Sequence, residues 1–283
     1  MTARYRIEHV SAYRYDQAVT ASFNEVRLTP AALPWQNPLE STLRADQATW
    51  HYRYVDYWGT QVRVFEAQQA HRELVVATSS TVEIDGARRL KAPPTYSWDD
   101  VRTDAVRDDL AEFLANSTTT EPPPELRTPV DETVAGMDAA QSALAVVRLV
   151  HEAMTYLPGS TGVHTLAGEA WGERSGVCQD YAHLVVGALR YLGIPARYVS
   201  GYLHPRAQPV VGDTVQAESH AWVQWWLGEW YDHDPTNLSD VLERHIQIGT
   251  GREYGDVTPL KGIVAGSPTT TDLDVSVSIT RLA

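Results

Sequence analysis

The chain of 283 residues has one cysteine, so no internal disulfide can form and the fold must rest on packing. An oxidising compartment is therefore not indicated. No apolar run approaches membrane-spanning length, which excludes a helical membrane protein. The opening MTARYRIEHVSAYRY goes straight into strand-like alternation, not a basic patch followed by an apolar stretch; no secretory signal is expected, and the cytoplasm is the expected location. Positive charge is scarce: 23 Lys and Arg stand against 36 Asp and Glu, a formal net charge of -13. Without a basic stripe, that balance repels polyphosphate and excludes nucleic acid as a partner. The acidity itself reads as a solubility device. Lys91 and Lys261 are the only lysines, leaving few acceptors for self-crosslinking.

What is present divides into two textures. From Tyr5 to about Ile84, aromatic and β-branched residues alternate in RYRIEHVSAYRY, HYRYVDYWGTQVRVFE and ELVVATSSTVEI, the pattern of an antiparallel β-sandwich. GARRLKAPPTYSW breaks that pattern, a short helix is expected over 98–116, and TTTEPPPE at 118–125 reads as an extended connector. Thr128, Pro129 and Asp131 resemble a helix start, with a long Ala-rich helix through TVAGMDAAQSALAVVRLVHEAMTYL. A second helix is expected from about Cys178 to Leu192, ended by Gly193 with Pro195 beyond. Strands follow in ARYVSGYL, SHAWVQWWL, WYDHD and DLDVSVSIT. These divisions predict an α+β chain: a β-rich region at 1–95, a helical and Pro-rich connector at 96–127, and a core with C-terminal strands at 128–283.

A lone cysteine is more often inert packing than chemistry. Here its neighbourhood argues otherwise. Ser175 and Gly176 are turn or cap formers, and the apolar residues Ala182, Val185, Val186, Leu189 and Leu192 trace one helix face, so Cys178 falls in the first turn. Free backbone N–H groups and the helix dipole favour a thiolate there. Asp180 in the same turn reads as a dipole-matched carboxylate.

A nucleophilic thiolate needs a base, and the base needs an orienting group. His9, His51 and His71 lie in the strand region, His151 and His183 sit on helices amid apolar residues, and His164, His204 and His245 lack an obvious acid. His220 differs. ESHAWVQWWLGEWYDHDPTN reads as a hairpin turning near Gly228 and Glu229, and a three-residue loop would put His220 and Asp234 on one face, opposite or diagonal. Strand alternation separates Asp232 and Asp234 from His233, which disfavours a shared metal ion, and none is expected. Trp222, Trp225, Trp226 and Trp230 crowd the hairpin, either as core or as aromatic cleft walls.

With these residues in hand, the chain resembles the bacterial transglutaminase-like cysteine peptidases. GVCQDYAHL resembles the nucleophile motif, SHAWV the histidine motif, HDPTN the aspartate motif, and LGIPARYVSGYL and GREYGDVTPLKG the flanking stretches. RYRIEHVSAYRYDQAV, FNEVRLTP and DYWGTQVRVFE are similar to the family's β-rich N-terminal region. The resemblance implies a papain-like core, with Cys178 as nucleophile, His220 as base and then acid, and Asp234 orienting His220. It implies acyl chemistry on a peptide or amide substrate without a cofactor. Hydrolysis is the expected outcome; transfer to an amine, or a non-catalytic module binding peptides or glycans on Trp50 and Trp58, are the alternatives. The N–H of Cys178 is the first candidate oxyanion donor, Gln179 and Tyr156 candidates for a second, and Trp222 a candidate substrate-binding residue.

Overall fold

A computed structural model describes residues 2–89, 91–266 and 269–283; Leu90, within the expected linker, lies outside them. Six strands come first: β1 (Thr2–Val19), β2 (Ser22–Val26), β3 (Gln36–Ala45), β4 (Trp50–Val55), β5 (Gln61–Ala67) and β6 (His71–Asp85). Three short helices follow, α1 (Trp98–Val101), α2 (Asp104–Asp109) and α3 (Ala111–Leu114), in place of the single helix expected over 98–116. The middle of the chain holds α4 (Pro124–Thr133), α5 (Ala139–Ala153), β7 (Thr155–Tyr156), α6 (Ala167–Glu173), β8 (Ser175–Gly176) and α7 (Cys178–Leu192). The last part is β9 (Ala196–Leu203), β10 (Thr214–Ala217), β11 (Ser219–Trp226), β12 (Trp230–Asp234), β13 (Ser239–Asp240), β14 (His245–Gly251), β15 (Leu260–Val264) and β16 (Thr270–Arg281).

The fold is α+β with antiparallel principal sheets. Two sheets build the β-rich region, ordered β10-β16-β1-β6-β3 and β15-β2-β5-β4; a third, β13-β12-β11-β9-β14, belongs to the core. The C-terminal strands therefore do not complete the 128–283 unit as expected. β16 pairs with β1 and β15 with β2, so the chain returns to the sheets it began with. Alternation in DLDVSVSIT identifies a half-buried strand but names no neighbour; β1, paired with β6 on one side, offers its other edge as the template. Tyr5, Phe65 and Ile84 of the β-rich sheets pack in one hydrophobic cluster with Tyr202 and Ile246 of the core sheet.

Two helix boundaries also move. α4 begins at Pro124, inside the stretch expected to be an extended connector, because Leu126 and Val130 bury completely against the core. The long helix expected through 133–157 breaks at Gly136, whose φ of 79° is left-handed, and restarts at Asp138. There a capping box links Asp138 and Gln141: the Gln141 N–H donates to Asp138 Oδ1 at 2.9 Å and the Asp138 N–H to Gln141 Oε1 at 3.2 Å. α7 runs as expected and ends on Gly193 in the left-handed region.

α7 is buried from Gln179 through Arg190 and packs against β11, β9, α5 and α6, so the helix carrying the cysteine is the central element of the core. At Gly187 the connector presses on it directly: an added Cβ would stand 1.9 Å from the Thr120 carbonyl oxygen. Gly187→Ala is expected to destabilise the fold by about 2–3 kcal/mol through overpacking. Thermal unfolding measures this, and an unchanged Tm would show that the connector yields.

Candidate active site

Cys178 takes the first position of α7, where the backbone N–H has no intrahelical acceptor. The approach to it is fixed by Asp180. Its Oδ2 accepts from the Val177 N–H at 2.7 Å and from the Thr161 hydroxyl at 2.6 Å. Burial raises the Asp180 pKa, against the lowering effect of these donors. Gly176 is required beside it, because a Cβ there would come within 2.7 Å of Asp180.

The base arrives on the β11–β12 hairpin. Leu227 to Glu229 form the turn, with Val223 across from His233 and Trp226 across from Trp230. That register sets Asp234 diagonal to His220, and Asp234 Oδ2 receives His220 Nε2 at 2.7 Å. Cys178 lies beside His220, near enough to raise the pKa of the imidazole. With Nε2 committed to the carboxylate, Nδ1 is the ring nitrogen left for the thiol. Burial pushes the His220 pKa down, but its hydrogen bond to Asp234, the neighbouring Cys178 and the charge of Asp234 outweigh it, holding the imidazole up at about 10.

Asp234 is wholly buried and fully satisfied. Oδ2 also accepts from the Asn237 amide at 2.8 Å, and Oδ1 accepts the N–H groups of Thr236 at 3.0 Å and Asn237 at 3.1 Å. Leu238, left-handed at φ 47°, closes the turn that aims these donors back. Burial alone would raise the carboxyl pKa; its histidine partners hold it far below the usual carboxylate range.

One partner is a residue the sequence passed over. His245 Nε2 lies 3.1 Å from Asp234 Oδ2, while its Nδ1 accepts the Leu242 N–H at 3.3 Å. Nδ1 is thus the acceptor and Nε2 carries the proton. Burial lowers its pKa, which keeps the ring neutral. Nothing local marks His245; it reaches Asp234 only because the chain after β12 folds back to open β14. The ligand atoms of His220, Asp234 and His245 lie within 4.8 Å of one another. For a cation, His245 would have to move its proton to Nδ1, against the Leu242 N–H. The donor set is that of a hydrogen-bond array.

Residues 5–83 match the bacterial transglutaminase-like N-terminal region, and residues 128–235 match the transglutaminase-like superfamily. The chain belongs to that superfamily. An uncharacterized protein of Mycobacterium leprae is 42% identical over 99% of both chains. A protein-glutamine gamma-glutamyltransferase of Pseudomonas aeruginosa is 34% identical over 40% of this chain and 18% of its own length. The crystal structure of a candidate cysteine protease from Cytophaga hutchinsonii shares the fold, with a TM-score of 0.76 at 22% identity over 100% of this chain and 92% of that one.

In this transglutaminase-like core, the remaining expected site residues fall differently. Gln179 directs its amide to Val163 O at 3.3 Å and Gly162 O at 3.5 Å, so it pins the 157–166 loop and is not free to serve an oxyanion. Trp222 is fully buried and gives its indole N–H to Asp232 Oδ1 at 2.9 Å. It supports the imidazoles from behind, stacked on His220 at 6.3 Å and edge-on to His245 at 5.4 Å, and offers nothing to a substrate. Alternation showed its face, but not that the sheet's other side is covered. Asp232 shares that buried layer, bound by Gln224 at 2.7 Å and by Arg89 at 3.2 Å. His233 lies against Trp225. Tyr156 alone of the three auxiliary candidates faces the opening, 46% exposed, in a cleft of about 600 Å³ that His220 also lines.

The His220–Asp234 pair carries a pH signature. The folded pKa of His220 lies above its unfolded value near 6.5, so its contribution to stability is full below that value and is lost as pH rises through about 10. That of Asp234 lies below its unfolded value, so its contribution is present above the ordinary carboxylate range and is lost on acidification. Urea unfolding should show wild type most ahead of Asp234→Asn at about pH 5–6.5, with the gap narrowing toward about pH 10. A pH-independent gap would show that the two are not an ion pair.

Proposed function

We propose that this protein is a cysteine-dependent hydrolase of peptide or amide bonds acting through a thioester acyl-enzyme. One observation carries the reading: His220 is hydrogen-bonded to the buried Asp234 carboxylate and has Cys178 beside it, near enough to raise the pKa of the imidazole. Moving the thiol proton to Nδ1 leaves a thiolate beside an imidazolium stabilised by Asp234. The sulfur attacks the amide carbonyl, the oxyanion forms near the Cys178 N–H, and His220 gives its proton to the departing amine. Water, deprotonated by the same imidazole, then resolves the thioester.

The cleft favours water as the acceptor. Trp222 and Trp225 are buried in the core, so they do not form the water-excluding walls that would favour transfer. The cleft is lined instead by the half-exposed Tyr156. Amine transfer uses the same residues, and the name of the Pseudomonas relative supports keeping it as the second reading.

Iodoacetamide should alkylate Cys178 at pH 6 at least about tenfold faster in wild type than in His220→Ala, since the thiolate is the reacting form. Equal rates would remove the activated thiol. Intact-mass spectrometry after exposure to a peptide and glutamine-amide library should show an acyl adduct in wild type and none in Cys178→Ala. Released acid on adduct decay supports hydrolysis, and amide formed only with added amine supports transfer.

A further inference from the structure

The β9–β11 hairpin forks at the mouth of the cleft. Tyr202 and Ser219 are its last pair. Beyond them one prong stays with the core, its His204 N–H donating to Arg244 O at 3.0 Å, while β10 leaves to pair with β16. The cleft lies between the prongs, lined by Leu203 and Pro205 on one side and by Gln216, Glu218 and His220 on the other.

Among the described residues β10 is the outermost strand of its sheet, so one row of its backbone groups has no ladder partner there. The register says which row. The Arg281 N–H donates to Asp213 O at 3.2 Å, and across the next pair the hydroxyls of Thr214 and Thr280 meet at 2.7 Å, as side chains do in a pair without backbone hydrogen bonds. Asp213, Val215 and Ala217 thus turn their backbone groups toward β16. Those of Gln216 turn away, to the free edge.

We propose that this edge is a docking rail for an extended peptide on the leaving-group side of the scissile amide, paired antiparallel through its main chain with Gln216. The proposal rests on the acyl-enzyme reading above. His220 must reach the departing amine, and β10 runs almost directly into His220. A segment leaving that point runs back along β10, which is the antiparallel direction. Strand addition recognises backbone, not sequence, and so defines the substrate as an extended polypeptide. By microscopic reversibility, the same rail holds the first residues of a peptide amine that attacks the thioester. The exposed Glu218 carboxylate favours its ammonium group during approach.

An artificial acyl donor tests this. p-Nitrophenyl acetate acylates Cys178: the C–S bond forms, the ester C–O bond breaks, and p-nitrophenolate leaves in a burst. An acceptor amine then attacks the thioester carbonyl. The C–N bond forms, the C–S bond breaks with its electron pair returning to sulfur, and the amine's proton passes to His220. The ratio of N-acetyl product to acetate is measured for Gly-Ala-Val-Ala-amide and for glycinamide at equal concentration. Main-chain pairing should raise that ratio for the tetrapeptide about tenfold over glycinamide in wild type. Gln216→Pro removes the edge N–H without touching the β16 ladder and should cut the gain below about twofold, while Gln216→Ala keeps it. The ratio counts only molecules that have been acylated, so it does not scale with the fraction of active protein. Equal ratios for the two acceptors in wild type, survival of the gain in Gln216→Pro, or its loss in Gln216→Ala would overturn the rail while leaving the acyl-enzyme intact. A wild type with no burst would overturn the acyl-enzyme reading and the rail with it.

Discussion

A carboxylate with no access to water costs several kcal/mol to bury unless fixed donors replace its hydration, and Asp234 has five of them. Two are imidazoles from different strands, two are backbone N–H groups of the turn that follows, and one is the Asn237 amide. None belongs to the same strand as the carboxylate. The charge can therefore be buried only once β11, β12 and β14 are assembled. The same assembly sets the ring plane of His220 and stands the imidazole beside Cys178 at the start of α7. The neutral His245 adds a donor without adding charge, leaving the Asp234 charge to stabilise an imidazolium at His220.

Behind this array lies a second buried layer that ties it to the β-rich region. A Cβ on Gly201 would stand 2.6 Å from the Trp222 ring and 2.2 Å from Ile246 O, so only glycine lets the indole lie across β9 beneath the histidines. Arg89, just after the β-rich strands, binds both Asp232 and the His245 carbonyl, the latter at 2.9 Å. Gln36 of β3 exchanges hydrogen bonds with the backbone of Gln247, at 2.7 Å and 2.9 Å, and so satisfies groups along β14. The first sheet in turn lends β10 to the cleft wall. The β-rich region is thus a structural part of the site.

Legibility followed the range of the forces involved. The α7 helix could be read because its apolar face, its glycine stop and its first-turn cysteine are local. The hairpin could be read because its turn and alternation lie within one short segment, and its observed register is the diagonal arrangement that a three-residue loop permits. The start of α4 was misread because burial of Leu126 and Val130 overrode a proline-rich sequence. Gln179 and Trp222 look like site residues by position. Their polar groups are taken by the 157–166 loop and by Asp232, partners that sequence proximity does not supply.

By itself, the sequence determined the reactive inventory: a single sulfur at a helix start, an imidazole and a carboxylate on one hairpin, and no second thiol to divert the chemistry. It also determined the α+β order, since periodicity is a property of neighbouring residues. Tertiary structure decided what closes over that inventory. It brought His245 to Asp234, returned the final strands to the first sheets, and left one edge of β10 open beside His220. Those outcomes depend on which distant strands share hydrogen bonds, and an alternating strand carries the capacity to pair without encoding its partner locally.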